Sequence, residues 1–259
     1  MSELLAYKSA VVLALLLLLF LVERWRPAAP EPAWIANGPR WARNLSLWGC
    51  NVLVSLLIVL PVTLYATAHS RYWWSSWVPA WFSLPLDILL LDFWIYWWHR
   101  ASHRIGLLWR FHWVHHLDQW LDVTSAVRFH FGEVILSAMV RALFVFCFAV
   151  PITSVILFES LILILTGFHH SNIRLPRRLE QGLSLVIVTP SIHWVHHHAV
   201  QRDTDSNYCA IFSIWDRLFG SRSASHRAPD MVIGLDHQRD KSLPGLLAAP
   251  FRREQGGLP

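Results

Sequence analysis

Histidine spacing is the strongest constraint on how this chain can fold. Twelve of its fifteen histidines lie between residues 99 and 198, and most fall into three clusters. The first cluster has the spacing HxxxH, and the other two share the sequence HWVHH. Residues three or four positions apart share a face of a helix, so each cluster presents its imidazoles together. The clustered histidines are His99, His103, His112, His115, His116, His193, His196 and His197.

This spacing predicts a metal site with two ions. Neutral imidazole is a good ligand for iron, zinc, copper and nickel. Eight imidazoles exceed the four ligands that a tetrahedral ion needs, so two ions fit the number better. The alternative is that the histidine-rich tracts are solvated surface or chance, and three regularly spaced clusters in one chain argue against it.

The composition indicates a membrane protein. Hydrophobic residues make up 54% of the chain and charged residues 15%, whereas soluble domains average about 25% charged residues. The net charge of +5 comes from basic residues that flank apolar segments, which favours lipid headgroups over nucleic acid as the partner. The three cysteines lie far apart, so we expect neither a disulfide framework nor a CxxC metal site.

The apolar runs predict an all-α bundle of about four to five membrane helices with a cytoplasmic helical cap. Residues 9–22 suit an uncleaved first span rather than a signal peptide, because no small-residue cleavage site follows them. Residues 45–67 and 83–98 form the next two spans. Residues 134–168 should form a hairpin broken at Pro151, because proline interrupts a helix. Residues 183–190 are too short to span a membrane.

The basic residues between the first two spans predict the orientation. The segment 23–44 is rich in arginine and should be a cytoplasmic loop, by the positive-inside rule. Two crossings later the first histidine cluster is cytoplasmic as well, and the hairpin returns the chain to that side. Four tryptophans between residues 68 and 82 suit an aromatic belt on the far side. We therefore expect a multi-pass protein of a bacterial inner membrane.

Three segments make up the predicted domain organisation. Residues 1–82 are N-terminal membrane helices, residues 83–221 a domain that carries the histidine clusters, and residues 222–259 a loosely ordered polar tail.

The motifs around the histidines resemble one known family. The order HxxxH, HxxHH, HxxHH is typical of the fatty acid hydroxylase and sterol desaturase superfamily of integral-membrane di-iron enzymes. Further similar segments are Asp92–Arg100, Arg128–Glu133 (RxHPxE, with Phe131 in place of proline), Phe168–Asn172 (FxHxN), Asp205–Tyr208 and Trp215–Gly220. The resemblance covers about residues 85–221. It extends to bacterial sterol desaturase-like and alkylglycerol monooxygenase-like members.

The resemblance implies an oxygenase that uses two iron ions, O2 and two electrons from a separate donor protein. Zinc can replace iron in a purified sample. The expected reaction is hydroxylation of a C–H bond in a fatty acyl, ether or sterol-like lipid, and desaturation at the same site is the alternative. The short first spacing, HxxxH, favours hydroxylation. A metal transporter would place its ligands at the bilayer midplane, whereas these clusters lie at the ends of spans. The oligomeric state stays open.

Five further residues are assigned around the predicted ligands. His170 lies where the family carries an additional histidine, and we expect it to bind metal. His130 and His169 could each be a ligand or support one. Asp92 and Glu133 could accept the second N–H of a ligand imidazole and fix its tautomer. For Asp92, an ordinary structural hydrogen bond is an equal alternative.

Two charges inside the predicted hairpin also need an explanation. Arg141 lies ten residues before Pro151 and Glu159 lies eight after it. At ~1.5 Å per residue, the two lie roughly 15 and 12 Å from the turn. Because a lone charge in a membrane span is costly, we predict an ion pair between the two arms. The alternative is that each charge snorkels or faces a polar cavity alone.

Overall fold

A computed structural model describes residues 2–35, 37–70 and 78–252. In these ranges the regular secondary structure is helical, and β-structure is limited to three isolated bridges. The helices are α1 Ser2–Trp25, α2 Asn37–Val54, α3 Leu60–His69, α4 Ala80–Arg104, α5 Gly106–His116, α6 Phe131–Phe148, α7 Ile152–His170, α8 Arg177–Leu183, α9 Pro190–His196, α10 Gln201–Thr204, α11 Ile214–Leu218 and α12 Leu243–Ala248. The all-α prediction is confirmed.

Three helices in the described ranges are long and apolar enough to cross a membrane. They are α6, α7 and the 33-residue helix Asn37–His69, in which the π-helical turn Ser55–Val59 joins α2 to α3. The chain is therefore a membrane protein. The predicted span at 83–98 lies inside α4, which is not among these three helices. The number of four to five spans stays a prediction.

The hairpin between α6 and α7 confirms the break expected at Pro151. Ala149 ends α6 in the left-handed region, with φ of 51°. Pro151 then caps α7, and because it has no N–H, it adds no unpaired donor of its own at the start of that helix. The two arms are antiparallel, so the end of α7 lies near the beginning of α6.

The arginine-rich segment 23–44 is not the loop that the sequence suggests. α1 continues to Trp25, and α2 begins at Asn37 with a proline in its first turn, where proline is tolerated. Arg40 is 3% exposed and donates a hydrogen bond of 3.0 Å to Asp118. This arginine neutralises a buried carboxylate instead of facing lipid headgroups, which weakens it as a marker of the cytoplasmic side.

The predicted aromatic belt lies mostly outside the described residues. Trp73, Trp74 and Trp77 fall in the gap between 70 and 78. Trp81 is described, and it is 79% exposed at the beginning of α4.

The described part of the C-terminal segment packs against the helices, whereas the sequence predicted a loosely ordered tail. α12 is followed by the 3-10 turn Ala249–Phe251. Leu246 is fully buried and belongs to one apolar cluster with Leu47, Trp109 and Trp113. The apolar residues after 242 therefore pack this segment against α2 and α5. This packing was not evident from the sequence, because the residues before 242 are mostly polar. The domain boundaries themselves stay a prediction.

Candidate metal centre

Nine buried or half-buried histidines form two compact groups. Within each group, one ring nitrogen from every histidine lies within 4.8 Å of all the others. The first group contains His99, His103, His112, His116 and His196. The second group contains His115, His170, His193 and His197. These nine are the histidines that the sequence assigned as ligands, and metal binding by them stays a prediction.

Four helices deliver these side chains to one place. α4 ends with His99 and His103, the chain turns back at Ile105, and α5 then carries the second cluster. His170 is the last residue of α7, and the third cluster ends α9. The helix ends converge because α4 and α5 form a tight turn and α7 is the returning arm of the hairpin.

The HxxHH clusters divide between the two groups rather than serving one group each. Adjacent residues of a helix point about 100° apart, so His115 and His116 cannot face the same point. His116 therefore joins the first group and His115 the second. The groups abut, and the rings of His116 and His197 stack across them at 4.4 Å between centroids.

Nitrogen distances in the second group fit a shared ion. The Nε2 atom of His170 lies 3.1 Å from that of His115 and 3.0 Å from that of His193. The Nε2 atoms of His193 and His197 are 3.2 Å apart. Metal–imidazole bonds of about 2.0–2.1 Å hold neighbouring ligand nitrogens about 3 Å apart.

Hydrogen bonds on the outer side of the rings orient the inner nitrogens. Five histidines have an oxygen within 3.1 Å of Nδ1, so Nδ1 is assigned as the donor and Nε2 keeps its lone pair for a metal. These pairs are His99 with the Tyr208 carbonyl, His112 with the Glu133 carboxylate, His115 with the Arg128 carbonyl, His170 with the Thr166 carbonyl, and His196 with the Ser206 carbonyl.

Several inner nitrogens are buried without a hydrogen-bond partner among the described residues. They are Nε2 of His99, His103, His112, His116 and His196. A buried polar atom that lacks a partner typically costs about 1–3 kcal/mol. Five such atoms converging in the first group fit a ligand set for a metal ion better than they fit a packed core.

Burial keeps these imidazoles in the form that binds metal. Desolvation by burial, together with the neighbouring histidines, lowers the pKa of His116, His193 and His197 well below the usual value. Burial lowers the pKa of His196 to about 3. The rings are therefore neutral at pH 7, and a metal need not displace protons to bind them.

The two carboxylates that the sequence placed beside the ligands have different partners. Glu133 accepts from Nδ1 of His112 at 2.8 Å, as expected. Within the described residues, Asp92 has no hydrogen bond to a histidine. It accepts from the backbone of Ile211 and Phe212 and from the indole of Trp215. Its charge is satisfied by donors of the closing segment, so the structural alternative is correct.

His130 and His169 lie outside both groups. Nδ1 of His130 accepts from the Gly132 N–H at 2.9 Å and caps α6, and its Nε2 lies 3.1 Å from the Leu247 carbonyl. Both nitrogens of His130 are thus occupied, which leaves none for a metal. His169 is buried against His193, with ring centroids 4.0 Å apart, and lies beside the second group without joining it.

Two features next to the site were not predicted from the sequence. They are the backbone carbonyls that accept from the histidines and one polar network around Arg128. Arg128 is fully buried, donates to the Val114 carbonyl at 2.9 Å and pairs with Asp240. Its own carbonyl accepts from His115. In the sequence, the arginine of the RxHPxE-like segment pointed to this network. Nothing in the sequence indicated its partner Asp240 in the tail.

An apolar cavity of about 470 Å³ reaches the histidines. The π-helical turn, α6 and α7 form its walls, and six histidines line one end. These histidines are His99, His112, His115, His169, His170 and His193. Further along the cavity lie Arg141 and Glu159, whose side chains pair at 2.9 Å. The predicted ion pair between the hairpin arms is confirmed.

Fold and site together define a helical membrane protein with a buried, two-part histidine site beside an apolar cavity. The family model for fatty acid hydroxylases matches residues 84–221, which is more than half of the chain. The chain therefore belongs to the fatty acid hydroxylase family, as the motifs predicted. Members of this family are iron-dependent oxygenases.

Several characterised proteins are similar to this chain. Ornithine lipid hydroxylase OlsE of Rhizobium tropici is 28% identical over 187 residues, 72% of this chain and 55% of that protein. Alkylglycerol monooxygenase of Xenopus tropicalis is 34% identical over 154 residues, 58% of this chain and 31% of that protein. The human alkylglycerol monooxygenase is 31% identical over 170 residues, 64% and 34% of the two chains.

The chain thus spans about half the length of the first of these relatives and about a third of the other two. No solved structure matches it.

Proposed function

We propose that this protein is a lipid hydroxylase that uses two iron ions and O2 to insert oxygen into a C–H bond. The observation that carries the proposal is the position of the two histidine groups at one end of an apolar cavity. The similar proteins named as hydroxylases and monooxygenases support the same reaction.

Each group of histidines would hold one ion. Iron bound there supplies the activation of O2 that the side chains cannot provide. The protein contributes neutral imidazoles of fixed tautomer, with Glu133 and three carbonyls from Arg128, Ser206 and Tyr208 among the groups that orient them. The apolar walls exclude water and accept an aliphatic chain, so that a carbon of the lipid lies against the histidines.

Isotope labelling tests this function most directly. The protein would be expressed in a host, and its lipids compared with those of a host carrying the His115→Ala variant, both grown under heavy-isotope O2. We expect a new lipid that carries one labelled hydroxyl group. A new double bond without label would indicate desaturation instead, and identical lipid profiles would count against an oxygenase.

We also propose that the electrons come from a separate donor protein. Hydroxylation consumes two electrons for each O2, and histidine side chains cannot supply them. Purified protein with lipid and O2 should stay inactive until a reductase system or a chemical reductant is added. Turnover without any added reductant would contradict this proposal.

The membrane location is proposed in the same way. We propose an inner-membrane protein whose histidine site faces the cytoplasm. The hairpin supports a single side for the site, because α7 returns His170 to the end of α4 that carries His99.

A further inference from the structure

The far end of the cavity contains an ion pair that the metal site does not use. Arg141 and Glu159 line the cavity, and their side chains are 14% and 34% exposed. Arg141 lies eight residues beyond Glu133 on α6, and Glu159 lies eleven residues before His170 on α7. At ~1.5 Å per residue, the pair lies roughly 12–16 Å along the helices from the histidine end.

Two buried polar atoms beside this pair have no hydrogen-bond partner among the described residues. One is Nε of Arg141, and the other is the hydroxyl of Thr63, which is 4% exposed and also lines the cavity. Asn51 donates to the Phe129 carbonyl at 2.9 Å, and Thr63 and Arg141 each lie twelve residues further along the chain, so helical rise places the two at a similar level of the bundle. A helical threonine usually bonds back to its own helix, so an unpaired hydroxyl here points to a ligand.

The charges decide which ligand fits. Arg141 and Glu159 neutralise each other, so an anion would be repelled by the carboxylate and a cation by the guanidinium. A hydroxyl group both donates and accepts. A hydroxyl group of a ligand could accept a hydrogen bond from Nε of Arg141 and donate one to the side-chain oxygen of Thr63. Both of the buried atoms that lack a partner would then be hydrogen-bonded.

We propose that the far end of the cavity binds a neutral hydroxyl group on the lipid. The aliphatic chain between that hydroxyl and the oxidised carbon fills the apolar part of the cavity. The proposal rests on the proposed function for the oxidation step, but it concerns a separate binding site. It makes Thr63 and Arg141 specificity-determining residues, because their distance from the histidines selects the carbon that is oxidised.

Binding of matched probes tests the proposal. The probes are tritiated 1-hexadecanol, hexadecane and hexadecanoate, each titrated against purified metal-free and iron-loaded protein in detergent. We expect the alcohol to bind roughly 10-fold more tightly than the alkane, because hydrogen bonds to a charged donor are among the stronger ones. The preference should be the same without metal, since the hydroxyl site lies away from the histidines.

Variants localise the effect. Thr63→Val conserves shape, and the double change Arg141→Met with Glu159→Gln leaves no buried charge unpaired. Each should reduce the preference for alcohol over alkane to about threefold or less while alkane binding is retained. Met139→Leu is the control, because Met139 lies on the same helix and is 51% exposed. It should bind all three probes as the unmodified protein does.

Three results would overturn the proposal. They are equal binding of alcohol and alkane, tighter binding of hexadecanoate than of the alcohol, and an unchanged preference in Thr63→Val protein.

The position of oxidation gives a second measurement in active protein. With alcohols of increasing chain length, the new hydroxyl should keep a constant distance from the original one. A position counted from the methyl end would contradict the proposal. If the protein prefers the alcohol but oxidises no lipid, the proposed hydroxyl site still stands. Only the proposed hydroxylase function is then contradicted.

Discussion

His115 and His116 are adjacent in the chain but belong to different groups of ring nitrogens. The spacing of the clusters was enough to select all eight of their histidines, because helical periodicity fixes which side chains share a face. It did not show how each cluster divides, since that depends on where α7 and α9 approach α5. His170 lies on α7 and His193 on α9, and their ring nitrogens lie beside that of His115 in the second group.

Replacing one histidine in each group should remove metal and activity. We expect His115→Ala and His196→Ala to abolish turnover and to lower the metal content from about two ions per chain. Elemental analysis of purified protein measures this, with His237→Ala as the control because His237 is 93% exposed. Active protein with one ion or none would contradict the two-ion site. Zinc in the sample would not, because zinc outcompetes iron at nitrogen ligands.

Glu133 should set the affinity of the first group through His112. Its carboxylate accepts from Nδ1 at 2.8 Å and holds Nε2 towards the other ligands. Loss of such a partner typically lowers metal affinity about 10–100-fold, so we expect that loss in Glu133→Ala. Glu133→Gln retains an acceptor oxygen and should lose less. Chelator competition measures both, and unchanged affinity in the alanine variant would show that His112 needs no such support.

The helices differ in how well the sequence located them. The α6–α7 hairpin was predictable because proline has no N–H and cannot continue a helix, and the depths of Arg141 and Glu159 followed from helical rise. The start of α2 at Asn37 was not predictable from charge. Arg40 suggested a loop beside headgroups, but its partner Asp118 lies 78 residues away, and no local pattern indicates such a pair.

The ion pair should hold the two arms of the hairpin together. Arg141→Leu and Glu159→Leu each leave one charge unpaired in a membrane helix, which is more costly than removing both. We expect each single change to lower the free energy of unfolding by about 1–3 kcal/mol, less than for a fully buried pair because Glu159 is one-third exposed.

Thermal unfolding of both single variants and the double variant measures the coupling. The double variant should recover part of the loss. Losses that simply add would mean that the pair contributes no net coupling.

At the scale of the whole molecule, the sequence predicted the helical class, the two-part site and the family. All three predictions follow from the local spacing of residues in the sequence. It could not predict that Leu246 of the tail packs on Trp109 and Trp113 of α5, because these residues lie far apart in the chain. The same holds for the pair of Asp240 and Arg128, which lie 112 residues apart. Nor could it show that Arg40 and Arg43 of segment 23–44 pair with Asp118 and Asp240, and the arginines of this segment were the basis of the predicted orientation.

The orientation can be tested by the two ends of α4. This helix carries the histidines at its C-terminal end, and its 25 residues place its N-terminus roughly 37 Å away. A reporter near Ser75, in the segment before α4 and outside the described residues, should therefore lie on the side opposite the site. A reporter after Pro259 should be cytoplasmic, because the ordered tail packs beside α5. Reporters on the same side would rule out a full crossing by α4.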